Sequence, residues 1–219
     1  MLLPRMPHGV VFDMDGVIFD TEVLYRDVMI TAASEQGADL PVAVYQRLIG
    51  LPGEACIRIL TDYFGPGFNV DALWADARDR FHQAVEAGPP LKPGVIELLD
   101  HLADIGLPHA IATSSKHAAV SHHLEAHGLE HRFPIVVAFG DYARGKPDPD
   151  PFLTAARRLG LEPSDCVALE DSHNGVRAAS SAGMMTIMVP DLLPATDEMR
   201  DLCTGIARDL HEVRSVVLA

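Results

Sequence analysis

Short, mostly apolar runs alternate with stretches of helical spacing along much of the chain. The runs at residues 10–12, 109–112, 135–139, 166–169 and 185–189 predict five buried strands. Between the later runs, apolar residues recur at the three- and four-residue spacing of amphipathic helices, as in residues 95–105, 120–129 and 152–159. This alternation predicts an α/β fold, in which a parallel, Rossmann-like sheet is covered by helices on both faces.

The stretch after the first predicted strand is too long to be a loop. About 70 residues separate Asp20 from the glycine- and proline-bearing segment 88–93. Helical spacing at residues 21–36, 53–64 and 70–87 predicts an all-helical cap domain at residues 20–88. It would be inserted between core segments 1–19 and 89–219, with hinges near residues 19–20 and 88–93. The turn at residues 47–54, which contains Gly50 and Pro52, is expected either to read the substrate or simply to connect two helices.

The charge of the chain argues against several classes of partner. Among 219 residues, 17 Lys and Arg stand against 31 Asp and Glu, and this net charge of −14 disfavours a general electrostatic grip on nucleic acid or anionic lipid. No apolar stretch approaches the roughly 18 residues that span a membrane. Three cysteines without CxxC spacing fit a reducing cytoplasm. We expect a cytoplasmic monomer that binds a small molecule, with neither nucleic acid nor membrane as its partner.

Chemically active side chains follow four of the predicted strands. In open parallel sheets, ligands bind beyond the carboxyl ends of the strands, so these side chains are expected to meet at one edge. The segments are Asp13-Met14-Asp15-Gly16, Thr113-Ser114-Ser115-Lys116, residues 140–146 ending in Lys146, and Glu170-Asp171-Ser172. Taken singly, each has an ordinary interpretation as a turn, a helix cap or a surface lysine. Their coincidence at one edge favours a functional site.

The acidic residues of this set predict a magnesium site and phosphoryl transfer. Clustered carboxylates repel one another in a low-dielectric cleft unless a hard cation lies among them, and Mg²⁺ prefers oxygen ligands. One carboxylate can attack phosphorus to form an aspartyl phosphate, while a second gives a proton to the leaving oxygen and later takes one from water. Thr113 and the amides after it can cradle the phosphate, with Lys146 neutralising the nucleophile. No histidine metal site is predicted, since HxH and HExxH spacings are missing and His123 and His127 fall on a helix expected to be exposed.

Four motifs together resemble those of the haloacid dehalogenase superfamily. They are FDMDGVIFDTE at residues 12–22, ATSS at 112–115, GKPDPDPF at 145–152 and LEDSHNGVRAA at 169–179. The resemblance is closest to the branch of beta-phosphoglucomutase-like phosphatases with a helical cap after the first strand, and it covers almost the whole chain in order. It implies an Mg²⁺-dependent hydrolase acting on a small phosphate monoester, such as a sugar phosphate.

The resemblance also implies a role for each motif residue. Asp13 would be the nucleophile and Asp15 the general acid and base, assisted in catalysis by Thr113 and Lys146. The phosphate would be held by Gly16, Thr113, Ser114, Ser115, Lys116 and Lys146, and the metal by Asp13, the backbone carbonyl of Asp15, and Asp171, with Glu170 in or near the metal shell. The Asp20-Thr21 pair would lie at the cap hinge, cap the first cap helix, or do both. Gly175 would either allow close backbone approach or be an ordinary helix residue.

Four alternatives to a phosphatase are weighed against the motifs. A sugar phosphomutase shares the core and the nucleophile, but where such mutases carry a His and an Arg in the cap this chain has Tyr25 and Gly53, which favours hydrolysis. A phospho-accepting receiver module, or a binding domain without activity, would also gather acids and a lysine, but a bare receiver has no cap. Dehalogenation is disfavoured because it does not need Asp15 or the Glu170-Asp171 pair.

Overall fold

The computed structural model describes residues 3–49, 51 and 53–217. Contacts divide the chain into two compact units: a core unit of residues 1–20 and 90–219, and a cap unit of residues 21–89. The turn predicted to read the substrate is described only in part, since Gly50 and Pro52 lie outside the described residues. In the described part of the chain, no helix is both long and apolar enough to cross a bilayer.

A six-stranded parallel sheet forms the centre of the core unit. Its strands are β1 (Gly9–Phe12), β2 (His109–Lys116), β3 (Val136–Phe139), β4 (Cys166–Glu170), β5 (Met185–Met188) and β6 (Gly205–Ile206). Their order is β3-β2-β1-β4-β5-β6, and every neighbouring pair is parallel. The predicted α/β fold with a Rossmann-like parallel sheet is therefore confirmed. The two-residue strand β6 was not predicted, because it is too short to carry an apolar period.

Ten α-helices are present in the described residues. They are α1 (Thr21–Glu35), α2 (Val42–Tyr45), α3 (Gly53–Phe64), α4 (Val70–Ala84), α5 (Val95–Asp104), α6 (His117–Ala126), α7 (Asp150–Leu159), α8 (His173–Ser181), α9 (Asp197–Leu202) and α10 (Leu210–Val217). The first four belong to the cap unit, where α1 packs against α4. On that contact, the ring of Tyr25 meets the ring of Phe81 edge-on at 5.1 Å.

Helices cover both faces of the sheet because side chains alternate along each strand. Val10 and Phe12 of β1 point into a hydrophobic cluster with residues of α5, α6 and α10. Val11 points to the opposite face, into a second cluster with residues of α7 and α8. Buried on both faces, the central strands read as continuous apolar runs, and this is why the sequence pattern locates them.

Strand β2 extends four residues beyond its predicted end and carries a bulge. Ala112 pairs with Val137, and the next registered pair is Lys116 with Phe139, so residues 113–115 stand opposite the single residue 138. Inside the bulge, the backbone N–H of Ser115 donates to the hydroxyl of Thr113 at 3.0 Å. Polar residues are thereby turned out of the ladder at the carboxyl end of the sheet.

Candidate active site

The site begins where β1 and β4 end side by side. The backbone N–H of Asp13, the residue after β1, donates to the carbonyl of Leu169 in β4 at 2.9 Å. This bond extends the parallel pairing and places Asp13 next to Glu170, the last residue of β4. Both side chains are buried, and that of Glu170 has no exposed surface. The sheet order alone thus joins two acids that are far apart in the chain.

Lys146 links these two acids. Its ammonium group donates to Oδ1 of Asp13 and, at 2.5 Å, to Oε1 of Glu170. It also lies over the ring of Phe152, 5.0 Å from the centroid. With only 7% of its side chain exposed, Lys146 is not the surface lysine of the ordinary interpretation.

A third acid completes the cluster. Carboxylate oxygens of Asp13, Glu170 and Asp171 lie within 4.8 Å of one another. The carboxylate of Asp15 is not part of this group. Oε2 of Glu170 accepts from the N–H of Asp171, and from the N–H and hydroxyl of Ser172, at 3.0–3.1 Å. Since both oxygens of Glu170 already accept hydrogen bonds, it orients the cluster as well as adding to its charge.

The charge balance of the cluster calls for a cation. Burial raises the pKa of Asp13, nearby Lys146 lowers it, and Glu170 and Asp15 raise it again, with a net value of about 8. Burial lowers the pKa of Lys146, but the Asp13 and Glu170 carboxylates outweigh burial and keep it a cation, with its pKa above the usual range. One ammonium therefore faces three carboxyl groups. An all-oxygen donor set short of positive charge fits Mg²⁺, which would also hold Asp13 in its ionised form.

Asp15 has a different partner from Asp13. Its Oδ2 accepts a hydrogen bond from the hydroxyl of Ser115 at 2.7 Å. The bulge in β2 that carries Ser115 is also held by Tyr142, whose hydroxyl donates to the carbonyl of Thr113 at 3.1 Å. Both the hydroxyl and the amide of Ser115 are thus engaged within the site. Ser115 was predicted as a phosphate ligand, and the structure adds a bond that orients Asp15.

Two glycines allow the acidic side chains to approach the backbone. Gly16 has φ of 83°, and a Cβ there would lie 2.3 Å from Oδ2 of Asp171. At Gly175, in the first turn of α8, a Cβ would lie 1.8 Å from Oε1 of Glu170. The close-approach interpretation of Gly175 therefore agrees with the geometry. The ordinary role of helix capping at α8 belongs to Ser172, whose Oγ accepts from the Gly175 N–H at 3.1 Å.

We expect Gly175→Ala to lower the free energy of unfolding by at least about 2 kcal/mol, because the new methyl group displaces the buried Glu170 carboxylate. Gly53→Ala is the matched control, since beyond its chain neighbours and its own helix no atom of the described residues lies within 4 Å of an added Cβ. It should stay within about 1 kcal/mol of the parent. Urea unfolding of the three proteins measures both values. Equal stability of the two variants would contradict the packing described at Gly175.

Other predicted residues lie at the margin of the cluster. Ser114 and Lys116 are exposed, and their role as phosphate ligands stays a prediction. The carboxylate of Asp20 accepts from Lys92 at 3.1 Å. His123 corrects one expectation: it is buried, its ring meets Phe19 edge-on at 5.5 Å, and burial lowers its pKa.

The participation of Tyr142 and Phe152 in the site was not predicted. Tyr142 bonds to a backbone carbonyl 29 positions away, a contact that no local pattern announces. Phe152 was recognised only as part of an amphipathic helix. The one sequence signal for its contact with Lys146 was that both residues belong to the GKPDPDPF motif, which ends on Phe152.

Several known proteins are similar to this chain over most of its length. The family model described as haloacid dehalogenase-like hydrolase matches residues 7–183. Protein CbbY of Cupriavidus necator is 36% identical over 204 residues, covering 86% of this chain and 80% of that protein. A phosphorylated carbohydrates phosphatase of Thermotoga maritima is 33% identical over 184 residues, covering 82% and 83%. A crystal structure of a family hydrolase from Deinococcus radiodurans, with bound phosphate and sodium, superposes with a TM-score of 0.81 at 25% identity, covering 96% and 95%.

The fold, with the acid-lysine cluster as its candidate site at the carboxyl edge of the parallel sheet, thus fits a hydrolase. The chain belongs to the haloacid dehalogenase-like hydrolase family. This confirms the resemblance carried by the four motifs.

Proposed function

We propose that the protein is an Mg²⁺-dependent phosphatase that hydrolyses a small phosphate monoester through an aspartyl phosphate on Asp13. The observation that carries this proposal is the joint contact of Lys146 with Asp13 and Glu170, beside Asp171. A buried carboxylate held against an ammonium group, with further acids around it, suits an attack on a dianionic phosphoryl group. The phosphatase name of the Thermotoga maritima relative and the phosphate in the Deinococcus radiodurans structure support the same substrate class.

In the first step, a carboxylate oxygen of Asp13 attacks phosphorus and the bond to the ester oxygen breaks. The leaving oxygen takes a proton from Asp15, which Ser115 holds through its hydroxyl. In the second step, Asp15 takes a proton from water while the water oxygen attacks phosphorus. The bond between phosphorus and Asp13 breaks, and both aspartates return to their starting states.

The remaining residues stabilise charge on the transferring group. Lys146 and the hydroxyl of Thr113 are proposed to hold the phosphoryl oxygens, with Gly16, Ser114, Ser115 and Lys116 around them. Asp13, the carbonyl of Asp15, and Asp171 would hold Mg²⁺, with Glu170 orienting them. Bound there, Mg²⁺ supplies a Lewis acid that offsets the negative charge of the phosphoryl group and the carboxylates.

Turnover of a panel of phosphate esters, with Mg²⁺ and with chelator, tests the proposal. We expect release of inorganic phosphate that stops on chelation and returns with Mg²⁺. The panel includes beta-glucose 1-phosphate with a catalytic amount of its bisphosphate, because efficient formation of glucose 6-phosphate would identify a mutase. If the protein releases no phosphate from any ester, a binding module replaces the phosphatase as the better explanation.

We expect Asp171→Ala to raise the Mg²⁺ concentration for half-maximal activity by at least about tenfold, since a lost carboxylate weakens an oxygen site. Asp104→Ala, an exposed acid at the end of α5, is the matched control and should leave the titration unchanged. Metal titration of ester turnover measures both values. A titration unaltered by Asp171→Ala would remove Asp171 from the proposed ligands.

A further inference from the structure

The turn that carries Asp15 is paired through its backbone with residues 90–92, the first residues of the second core segment. Within the turn, the N–H of Gly16 donates to the carbonyl of Phe19 at 2.8 Å. Phe19 forms an antiparallel bridge with Leu91. On either side of that bridge, the N–H of Asp20 donates to Pro90 at 2.8 Å, and the N–H of Lys92 donates to Ile18 at 2.9 Å. Residues 14–20 and 90–92 thus form one local structure within the core unit.

The side chain of Lys92 ties this structure to a third segment. Its ammonium group donates to Oδ1 of Asp20 at 3.1 Å and to Oδ1 of Asp191 at 2.8 Å. Asp191 follows β5, in a stretch where the N–H of Val189 donates to the carbonyl of Glu170 at 2.7 Å. Lys92 therefore connects the end of the Asp15 turn to a segment hydrogen-bonded to the acidic cluster.

The contact is largely buried and depends on the lysine charge. Exposed fractions are 17% for the Lys92 side chain and 7% for that of Asp191. The second carboxylate oxygen of Asp191 is buried, without a hydrogen-bond partner in the described residues. Burial lowers the pKa of Lys92, but Asp191 and Asp20 outweigh it and raise the pKa overall, so the group stays an ammonium ion. Without it, two carboxylates would be left with no shared cation.

We infer that Lys92 is a positioning residue for the general acid Asp15. This inference rests on the proposed function, because Asp15 is a general acid only in that mechanism. Lys92 itself is assigned no contact with substrate. Ser115 holds the Asp15 side chain, whereas Lys92 holds the far end of the turn that carries Asp15. The roles implied by the four motifs do not extend to Lys92 or Asp191, since both residues lie outside the motif segments.

A misplaced general acid makes the rate depend more strongly on the leaving group, whereas a general loss of stability lowers the rate for all esters alike. Phenyl phosphate and p-nitrophenyl phosphate have similar shapes, but phenolate needs a proton on leaving and p-nitrophenolate does not. Since kcat/KM reports the steps up to loss of the leaving group, a poorly placed Asp15 lowers kcat/KM for phenyl phosphate most.

The test compares Lys92→Met with the double variant Lys92→Met/Asp191→Asn on both esters, together with their melting temperatures. We expect Lys92→Met to lower kcat/KM at least about tenfold for phenyl phosphate and less than about threefold for p-nitrophenyl phosphate. The single variant should also melt at a lower temperature, because Asp191 keeps a buried charge without a partner. In the double variant the charge is gone, so the melting temperature should recover while the loss on phenyl phosphate persists.

Arg208→Met is the control for loss of an ion pair in the same unit. Because the contact of Arg208 with Asp209 is exposed, this variant should leave kcat/KM unchanged for both esters. The inference would be overturned if Lys92→Met lowered kcat/KM equally for both esters or for neither. It would also be overturned if kcat/KM for phenyl phosphate recovered in the double variant together with the melting temperature. If the single variant does not fold, the double variant alone decides, through the ratio of its decreases in kcat/KM on the two esters. Asp13→Asn is run alongside: activity in that variant would refute the proposed mechanism itself, an outcome distinct from a failure at Lys92.

Discussion

Asp13→Asn is expected to lower ester turnover by at least about a thousandfold while the protein stays folded, because the amide keeps the shape of the side chain but cannot attack phosphorus. The new amide still offers Lys146 a carbonyl oxygen, and Glu170 remains as a second partner of the lysine. Stopped turnover assays and far-ultraviolet circular dichroism measure activity and fold on the same sample.

Asp104→Asn provides the matched control for this variant, since it makes the same chemical change at an exposed acid of the core unit. It should retain full activity. Near-normal turnover in Asp13→Asn would refute covalent catalysis by this residue, whatever the control shows.

Asp15→Asn is expected to lower steady-state turnover by a similar factor for a different reason. The amide cannot protonate the leaving oxygen or activate water, so both chemical steps slow. With p-nitrophenyl phosphate, whose leaving group needs no proton, the first step should survive and release one p-nitrophenolate per enzyme before turnover stops. Rapid-mixing absorbance measurements resolve that burst.

The size of the burst separates Asp15 from Asp13. Asp13→Asn should give no burst with the same ester, because it cannot form the covalent intermediate. A steady rate without a burst in Asp15→Asn, close to that of the parent, would assign the proton transfers to another residue.

Much of the fold could be predicted because the central strands are buried on both faces. Val10, Val11 and Phe12 form an apolar run that ends at the first acid, and the run before Glu170 behaves in the same way. Parallel pairing then makes the ends of β1 and β4 meet, so the grouping of Asp13 and Glu170 followed from sheet topology.

The features that sequence reasoning missed depend on contacts between distant segments. Lys92 and Asp191 are 99 positions apart, and Ser115 and Asp15 are 100 apart, so no local pattern announces either bond. The bulge at residues 113–115 likewise arises from the register with β3, which the apolar run at residues 109–112 does not encode. His123 was expected to be exposed because it falls on a helix predicted to lie at the surface, yet it is buried against Phe19.

Trapping the covalent intermediate tests the central claim most directly. Asp15→Asn is mixed with p-nitrophenyl phosphate and Mg²⁺, then treated with borohydride, which reduces an acyl phosphate to an alcohol, and the peptides are sequenced by mass spectrometry. The account predicts homoserine at position 13, dependent on substrate and missing when Asp13→Asn is combined with Asp15→Asn. An unmodified Asp13 after a full burst of p-nitrophenolate, or homoserine at another aspartate, would contradict it.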